Sequence, residues 1–286
     1  MAESYPKELN PALKGLERNG NPWGIGYDKR ADWAEGLDLK TLAEDSQVEY
    51  LFWVGCAGSF DDRAKKTSVA IAKVLQKAGV SFGILGVEEK CTGDFARRAG
   101  NEMLFQMMAT ENIENLNNYG VKKIITACPH CLHALKYEYP QLDGNYEVFH
   151  SSEIIASLLE KGQITINSTN QAKIAYHDPC YLGRYNKSYQ EPRGVIKQIS
   201  KHYIELDRSH NESFCCGAGG SRMWMEETIG KRINIERTEE ILDTNADIIA
   251  VNCPFCMTMI EDGLKEKSKA EEIKVLDIAE LVLKSF

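Results

Sequence analysis

The stretch SFCCGAGGSR, Ser213–Arg222, sets two adjacent cysteines against a glycine-rich turn. Neighbouring thiols do not share an unstrained disulfide, because disulfide geometry wants the Cα atoms farther apart than one peptide bond holds them. Nor do both face one core from a strand, since successive side chains point to opposite faces. Cys215 and Cys216 therefore hold something else. The stretch also has an echo. FCCG (Phe214–Gly217) matches KCTG (Lys90–Gly93), and NCPFC (Asn252–Cys256) matches ACPHC (Ala127–Cys131).

The match extends to the whole cysteine set. Cys56, Cys91, Cys128 and Cys131 recur as Cys180, Cys215, Cys253 and Cys256, displaced by 124 positions for the first two and 125 for the last two. A period this long means a duplicated domain rather than a solenoid. The flanking segments read as the same α/β unit twice. VEYLFWV (48–54), SFGILG (81–86), KKIITA (122–127) and YEVFH (146–150) are short apolar runs that predict strands. Between them lie helical patterns at 64–79 and 94–120, the second with an Asp start and a Gly stop. In the second copy KIAYH, YIEL, DIIAV and IKVLD predict strands, with helices around 192–200, from Met223 to about Thr244, at 257–267 and at 278–285. Strands alternating with helices predict parallel sheets covered on both faces. The expected fold is α/β: two tandem Rossmann-like repeats with mostly parallel sheets, related as a pseudo-twofold duplication. The expected boundaries are an N-terminal docking extension at 1–46, a first repeat at 47–165 and a second at 172–286. The polar stretch KGQITINSTNQ (161–171) is the linker.

The chain of 286 residues has a formal net charge of -8, which argues against nucleic acid or an anionic membrane surface as a direct partner. No apolar run approaches a membrane span, and MAESYPKELN carries no secretory h-region. The expected location is cytoplasmic, with peripheral attachment to the inner face of the cell membrane only through a partner subunit. Nine cysteines without an export signal point to metal binding or redox work rather than to a disulfide framework.

Cys56, Cys128, Cys180 and Cys253 fall at or just after the carboxyl ends of predicted strands, where open parallel sheets bind ligands. Cys91 and the Cys215–Cys216 pair fall in loops leading to helices. Each repeat thus gathers its thiols at one sheet edge, which core packing does not explain. Four thiolates with one CxxC suit either tetrahedral zinc or an iron–sulfur cluster. The first repeat offers four and does not discriminate. The second offers five, and a single zinc leaves one spare, whereas a cluster has several irons to ligate. Gly217, Gly219 and Gly220 then let the backbone approach a cluster and aim N–H groups at its sulfides.

The pattern Cys180…Cys215-Cys216-Gly217…Cys253-Pro254-Phe255-Cys256 resembles the cysteine-rich CCG domain of heterodisulfide reductases and related Fe–S oxidoreductases. The resemblance covers roughly residues 47–286. It implies that Cys180, Cys215, Cys216, Cys253 and Cys256 ligate a [4Fe-4S] cluster of the non-cubane kind. Thr92 departs from the pattern, standing where the second cysteine of the first pair belongs. Cys56, Cys91, Cys128 and Cys131 are left for a second [4Fe-4S] cluster or zinc. The stretches NPWG, VGCAGSFDDRAKK, CTGDFARRAGNE and HDPCYLGRYN are similar to one branch of membrane-associated Fe–S oxidoreductases. The resemblance implies an iron–sulfur subunit of a heterodisulfide reductase-like complex that passes electrons to a disulfide or toward the quinone pool. A ferredoxin-type, flavoprotein or cytochrome b-like subunit would supply them. The alternatives are the Fe–S subunit of a lactate, glycolate or glycerol-3-phosphate dehydrogenase, or a zinc-stabilised scaffold without redox activity.

Around the thiols, His177 is the candidate catalytic residue, donating a proton to a thiolate product or a hydrogen bond to a cluster sulfide. His130 is a second candidate relay. Arg184 and Arg222 are candidates for an acidic substrate, and Met223, Trp224 and Met225 for excluding water.

Overall fold

The structure is a computed structural model and describes residues 5–286. The chain forms two compact units, one of residues 1–69 and 80–150, the other of residues 70–79 and 151–286. Each is built on a four-stranded sheet, and every strand pairing in both sheets is parallel.

In the first unit the strands are β1 (Tyr50–Trp53), β2 (Phe82–Gly83), β3 (Lys123–Thr126) and β4 (Glu147–His150), in the order β2-β1-β3-β4. In the second they are β5 (Ile174–Tyr176), β6 (Tyr203–Ile204), β7 (Ile248–Val251) and β8 (Lys274–Asp277), in the order β6-β5-β7-β8. The duplication read from the cysteines is therefore a duplication of topology. Register repeats as well: Phe52 faces Ile125 as Tyr176 faces Ala250. Leu51, Phe52, Ile124 and Ile125 are buried, as are all four residues of β7. Such unbroken apolar runs are what a parallel sheet with both faces covered requires.

In each sheet the chain steps outward from the first strand, then returns to its other side. The reversal falls between β1 and β3 and between β5 and β7. The loops leaving those strands at their carboxyl ends diverge there and open a crevice. They carry Cys56, Cys128, Cys180 and Cys253.

The helices are α1 (Asn10–Asn19), α2 (Gly55–Phe60), α3 (Asp62–Lys77), α4 (Asp94–Ala99), α5 (Glu102–Asn118), α6 (Pro129–His133), α7 (Ser151–Glu160), α8 (Gln190–Ile199), α9 (Ile233–Leu242), α10 (Pro254–Glu266) and α11 (Ile278–Lys284). Residues 1–4 of the expected extension lie outside the described residues. The rest of it folds onto the first unit, burying Leu9, Leu13, Leu16 and Trp33.

Two expected helices differ. The run 94–120 is two helices, because Gly100 turns left-handed at φ 94° and Asn101 restarts the helix, accepting from the Leu104 N–H at 2.9 Å. The helix expected from Met223 begins only at Ile233. A 3₁₀ turn, Arg222–Trp224, comes first, and Gly230 breaks the chain at φ 71°. The Glu227 carboxylate then accepts from the Ile233 N–H at 2.9 Å, which starts α9. Single π turns follow the cysteine loops at Ala134–Glu138 and Tyr181–Tyr185. Such turns are frequent at functional sites.

Candidate metal centres

In the second repeat the five expected thiols meet. Hydrogen bonds link Cys180 to Cys215, Cys215 to Cys216, Cys216 to Cys256, and Cys256 to Cys253. All nine cysteines of the chain are free thiols. Each loop has a reason to be where it is. Pro254 occupies the first turn of α10, where its missing N–H would have no helical partner anyway, so Cys253 and Cys256 sit at a helix start. Gly217 takes φ 94°, and its N–H donates to the Cys215 sulfur at 3.3 Å. A side chain there would press on Ile233 and Met259, each 3.3 Å from its Cβ. Gly220 is also left-handed, at φ 62°, while Gly219 adjoins open space. Arg184 donates to the Ser213 carbonyl at 2.6 Å and braces the loop before the pair.

The Cys180 thiol, the Cys216 thiol and the Gly217 N–H converge on Cys215, and its pKa falls well below that of a free thiol. Hydrogen bonding to that sulfur pushes Cys180 and Cys216 up. Cys216, Cys253 and Cys256 are buried with Met223, Phe255 and Met259 packed against them, whereas Cys180 and Cys215 are half-exposed. The site is apolar at its base and open at one edge.

His177 is buried at the end of β5. Its Nδ1 accepts from the Arg237 Nε–H at 3.0 Å. Its Nε2 is buried without a hydrogen-bond partner among the described residues. One ring nitrogen and the sulfurs of Cys216 and Cys256 lie within 4.8 Å of one another. The buried Asn252 side chain, next to Cys253, has neither its oxygen nor its nitrogen paired among the described residues. A native interior rarely leaves such groups unmatched. Five convergent thiols with orphaned polar groups around them fit an iron–sulfur group.

In the first repeat four thiols meet. Cys56 bonds to Cys91 and Cys128 to Cys131, and Cys131 lies within electrostatic reach of the other pair. The Cys131 thiol, then the charge of His130 and the backbone N–H groups of Cys131 and His130, hold the Cys128 pKa down to about 7 against the opposing effect of burial. Gly55, at φ 77°, leaves no room for a side chain against the Cys131 sulfur, 3.3 Å from where its Cβ would be. Thr92 Oγ1 donates to that sulfur at 3.9 Å. The Asp94 carboxylate pairs with His130 at 3.0 Å and with Arg98 at 3.2 Å. All four thiols are buried. The N-terminal segment covers them: the Gly20 carbonyl accepts from the Cys91 N–H at 2.8 Å and lies 3.8 Å from the Cys56 sulfur. Arg30, itself buried, donates to Glu89 at 2.8 Å and reaches the Cys56 sulfur at 3.7 Å. Glu89 in turn accepts from the Val54 and Gly55 N–H groups at 2.9 and 2.8 Å. These four thiols, with one guanidinium against them, fit a four-thiolate metal group.

Arg30, Glu89, Arg237 and Asn252 were not among the residues singled out in the sequence. The available signal was a charge inside an apolar stripe: Arg237 shares the buried face of α9 with Ile241 and Asn234. Arg222 is exposed, 3.9 Å from Glu227. Met223 packs on the thiols as expected.

The CCG cysteine-rich domain family matches residues 50–136 and 174–261. The EtfAB:quinone oxidoreductase of Syntrophomonas wolfei subsp. wolfei is 48% identical, aligned over 98% of this chain and 41% of its own length. The probable iron-sulfur-binding oxidoreductase FadF of Bacillus subtilis is 43% identical over 96% of this chain and 40% of its own. One subunit of the dihydromethanophenazine:CoB–CoM heterodisulfide reductase of Methanosarcina barkeri is 33% identical over 92% of this chain and 64% of its own. The chain thus spans between two fifths and two thirds of the length of these relatives. Two matched domains, each with its thiols gathered at a sheet switch point, place this chain in the CCG family of tandem cysteine-rich domains, among relatives of Fe–S oxidoreductases and heterodisulfide reductase.

Proposed function

We propose that this chain is an iron–sulfur redox subunit of a heterodisulfide reductase-like complex, an oxidoreductase that moves electrons to a disulfide or toward the quinone pool. The observation that carries the reading is the second site: five hydrogen-bonded thiols, two of them half-exposed, beside a buried imidazole with an unmatched nitrogen. A cluster held there supplies one-electron steps and irons to which a substrate sulfur can bind. The chain's own residues do the rest. Cys180, Cys215, Cys216, Cys253 and Cys256 hold a non-cubane [4Fe-4S] group. Gly217 lends its N–H, and Gly219 and Gly220 keep the loop slender. His177 donates a hydrogen bond toward the sulfurs. Met223, Phe255 and Met259 exclude water from the base.

At the first site Cys56, Cys91, Cys128 and Cys131 hold a [4Fe-4S] group that relays electrons without meeting substrate, since the N-terminal segment covers it. Four buried thiols with one guanidinium suit zinc as well. Electrons enter from a ferredoxin-type, flavoprotein or cytochrome b-like partner. Among the described residues no helix is long and apolar enough to cross a membrane, and on this reading attachment to one comes through that partner. Residues 47–165 and 172–286 are the duplicated halves, with 1–46 added to the first.

Iron, acid-labile sulfide and zinc measured on anaerobically purified protein test the reading. Iron and sulfide in similar amounts are expected, with zinc confined at most to one site. Zinc at both sites with negligible sulfide would mean a scaffold and end the redox reading.

A further inference from the structure

The Arg237 guanidinium is wholly buried, and three contacts fix it. Its Nε–H donates to His177 Nδ1 at 3.0 Å. Its Nη1 donates to the Arg208 carbonyl at 3.1 Å and to Glu240 Oε2 at 2.9 Å. Glu240 sits one turn farther along α9. It is held in turn by the Arg208 backbone N–H at 3.1 Å and the Arg208 guanidinium at 2.8 Å.

A guanidinium only donates. The nitrogen that faces it must therefore present a lone pair, so Nδ1 of His177 carries no proton. A neutral ring then has its one proton on Nε2. That atom is buried and meets no acceptor among the described residues. A buried N–H without an acceptor is costly, because it has given up water and gained no partner. The arrangement makes sense if the acceptor arrives with the group bound by Cys216 and Cys256, whose sulfurs lie within 4.8 Å of a ring nitrogen. At the equivalent position of the first repeat a buried ring N–H is likewise without an acceptor among the described residues, but it belongs to a tryptophan. Trp53 stands 124 positions before His177, the offset that separates Cys56 from Cys180. Its ring has a single fixed N–H and no tautomer to choose.

We propose that Arg237 is a positioning residue: by donating to Nδ1 it locks His177 as the neutral Nε2–H tautomer, so that a fixed hydrogen-bond donor faces the sulfurs of the second site. The inference rests on the iron–sulfur reading given above. A donor aimed at a cluster sulfur stabilises the reduced state and raises its reduction potential.

The test uses anaerobically purified protein with ¹⁵N-labelled histidine. Pulsed electron–nuclear double resonance in H₂O and D₂O reads exchangeable protons at each cluster signal, and a redox titration gives each midpoint. Wild-type protein is expected to show, at the second site alone, an exchangeable histidine proton that His177→Phe removes. Arg237→Met should weaken that coupling and lower the second midpoint, leaving the first unchanged. Arg237→Lys, which still donates, should restore both in part. Iron and sulfide at wild-type content with no such coupling in wild-type protein would overturn the tautomer lock alone. So would Arg237→Met with coupling and midpoint intact. Should Arg237→Met fail to fold, the wild-type spectrum and Arg237→Lys still decide. Absence of iron and sulfide overturns the lock together with the iron–sulfur reading.

Discussion

Thr92 is the residue at which the two repeats part. It is buried, and its hydroxyl already points at the Cys131 sulfur. Thr92→Cys is expected to add a fifth thiol to the first site, so that its EPR signal moves toward that of the second at equal protein loading. An unchanged first-site spectrum would show that the position, and not the residue, limits that site. The reciprocal change, Cys216→Ser, should abolish the second signal and leave the first intact. A residue outside both thiol sets tests the frame around them. Arg193 donates to both Asp178 oxygens at 2.8 and 2.7 Å and to Glu205 at 2.8 and 2.7 Å. Asp178 and Arg193 are both buried, and Asp178 also accepts from the His210 N–H. Arg193→Met leaves the Asp178 charge uncompensated, at about 3–5 kcal/mol, read as a lower urea midpoint. Glu205 is partly exposed and contributes less.

The N-terminal segment is the element that makes the two sites unequal. Gly20 and Arg30 close the first site, while Cys180 and Cys215 stay half-exposed at the second. Alkylation followed by mass spectrometry on chelator-treated protein should mark Cys180 and Cys215 first, and Arg30→Met should speed labelling of Cys56. Equal rates at both sites would contradict the closure. The strands and most helices were legible because apolar periodicity is local. The breaks at Gly100 and Gly230 were not, because a single glycine inside a helical run is compatible with either outcome. At Gly100 the neighbouring Asn101 cap decides it, and Asn101→Ala should destabilise the first unit by about 1 kcal/mol in urea melts. At Gly230 the decision comes from Glu227 reaching Ile233.

For the whole molecule, on the proposed reading, the thiol sets bind their groups in the folded state and not in a chain with scattered loops. Stripping iron with a chelator under reducing conditions is therefore expected to lower Tm by on the order of 10 °C, recoverable on reconstitution. A Tm indifferent to iron would separate the thiols from the stability of both units. The duplication, the parallel α/β class and the gathering of the nine thiols into two sets could be read from the order of residues. Spacing of cysteines against strand ends is a short-range pattern, and a parallel sheet brings its carboxyl ends together wherever it forms. The polar partners of the sites could not be so read. Arg237 lies 60 positions from His177, and Arg30 lies 26 from Cys56 and 59 from Glu89. No local pattern links a charge to a partner so far along the chain. Packing chose them, because a buried charge or imidazole persists only where the folded chain brings a matching group within hydrogen-bond reach.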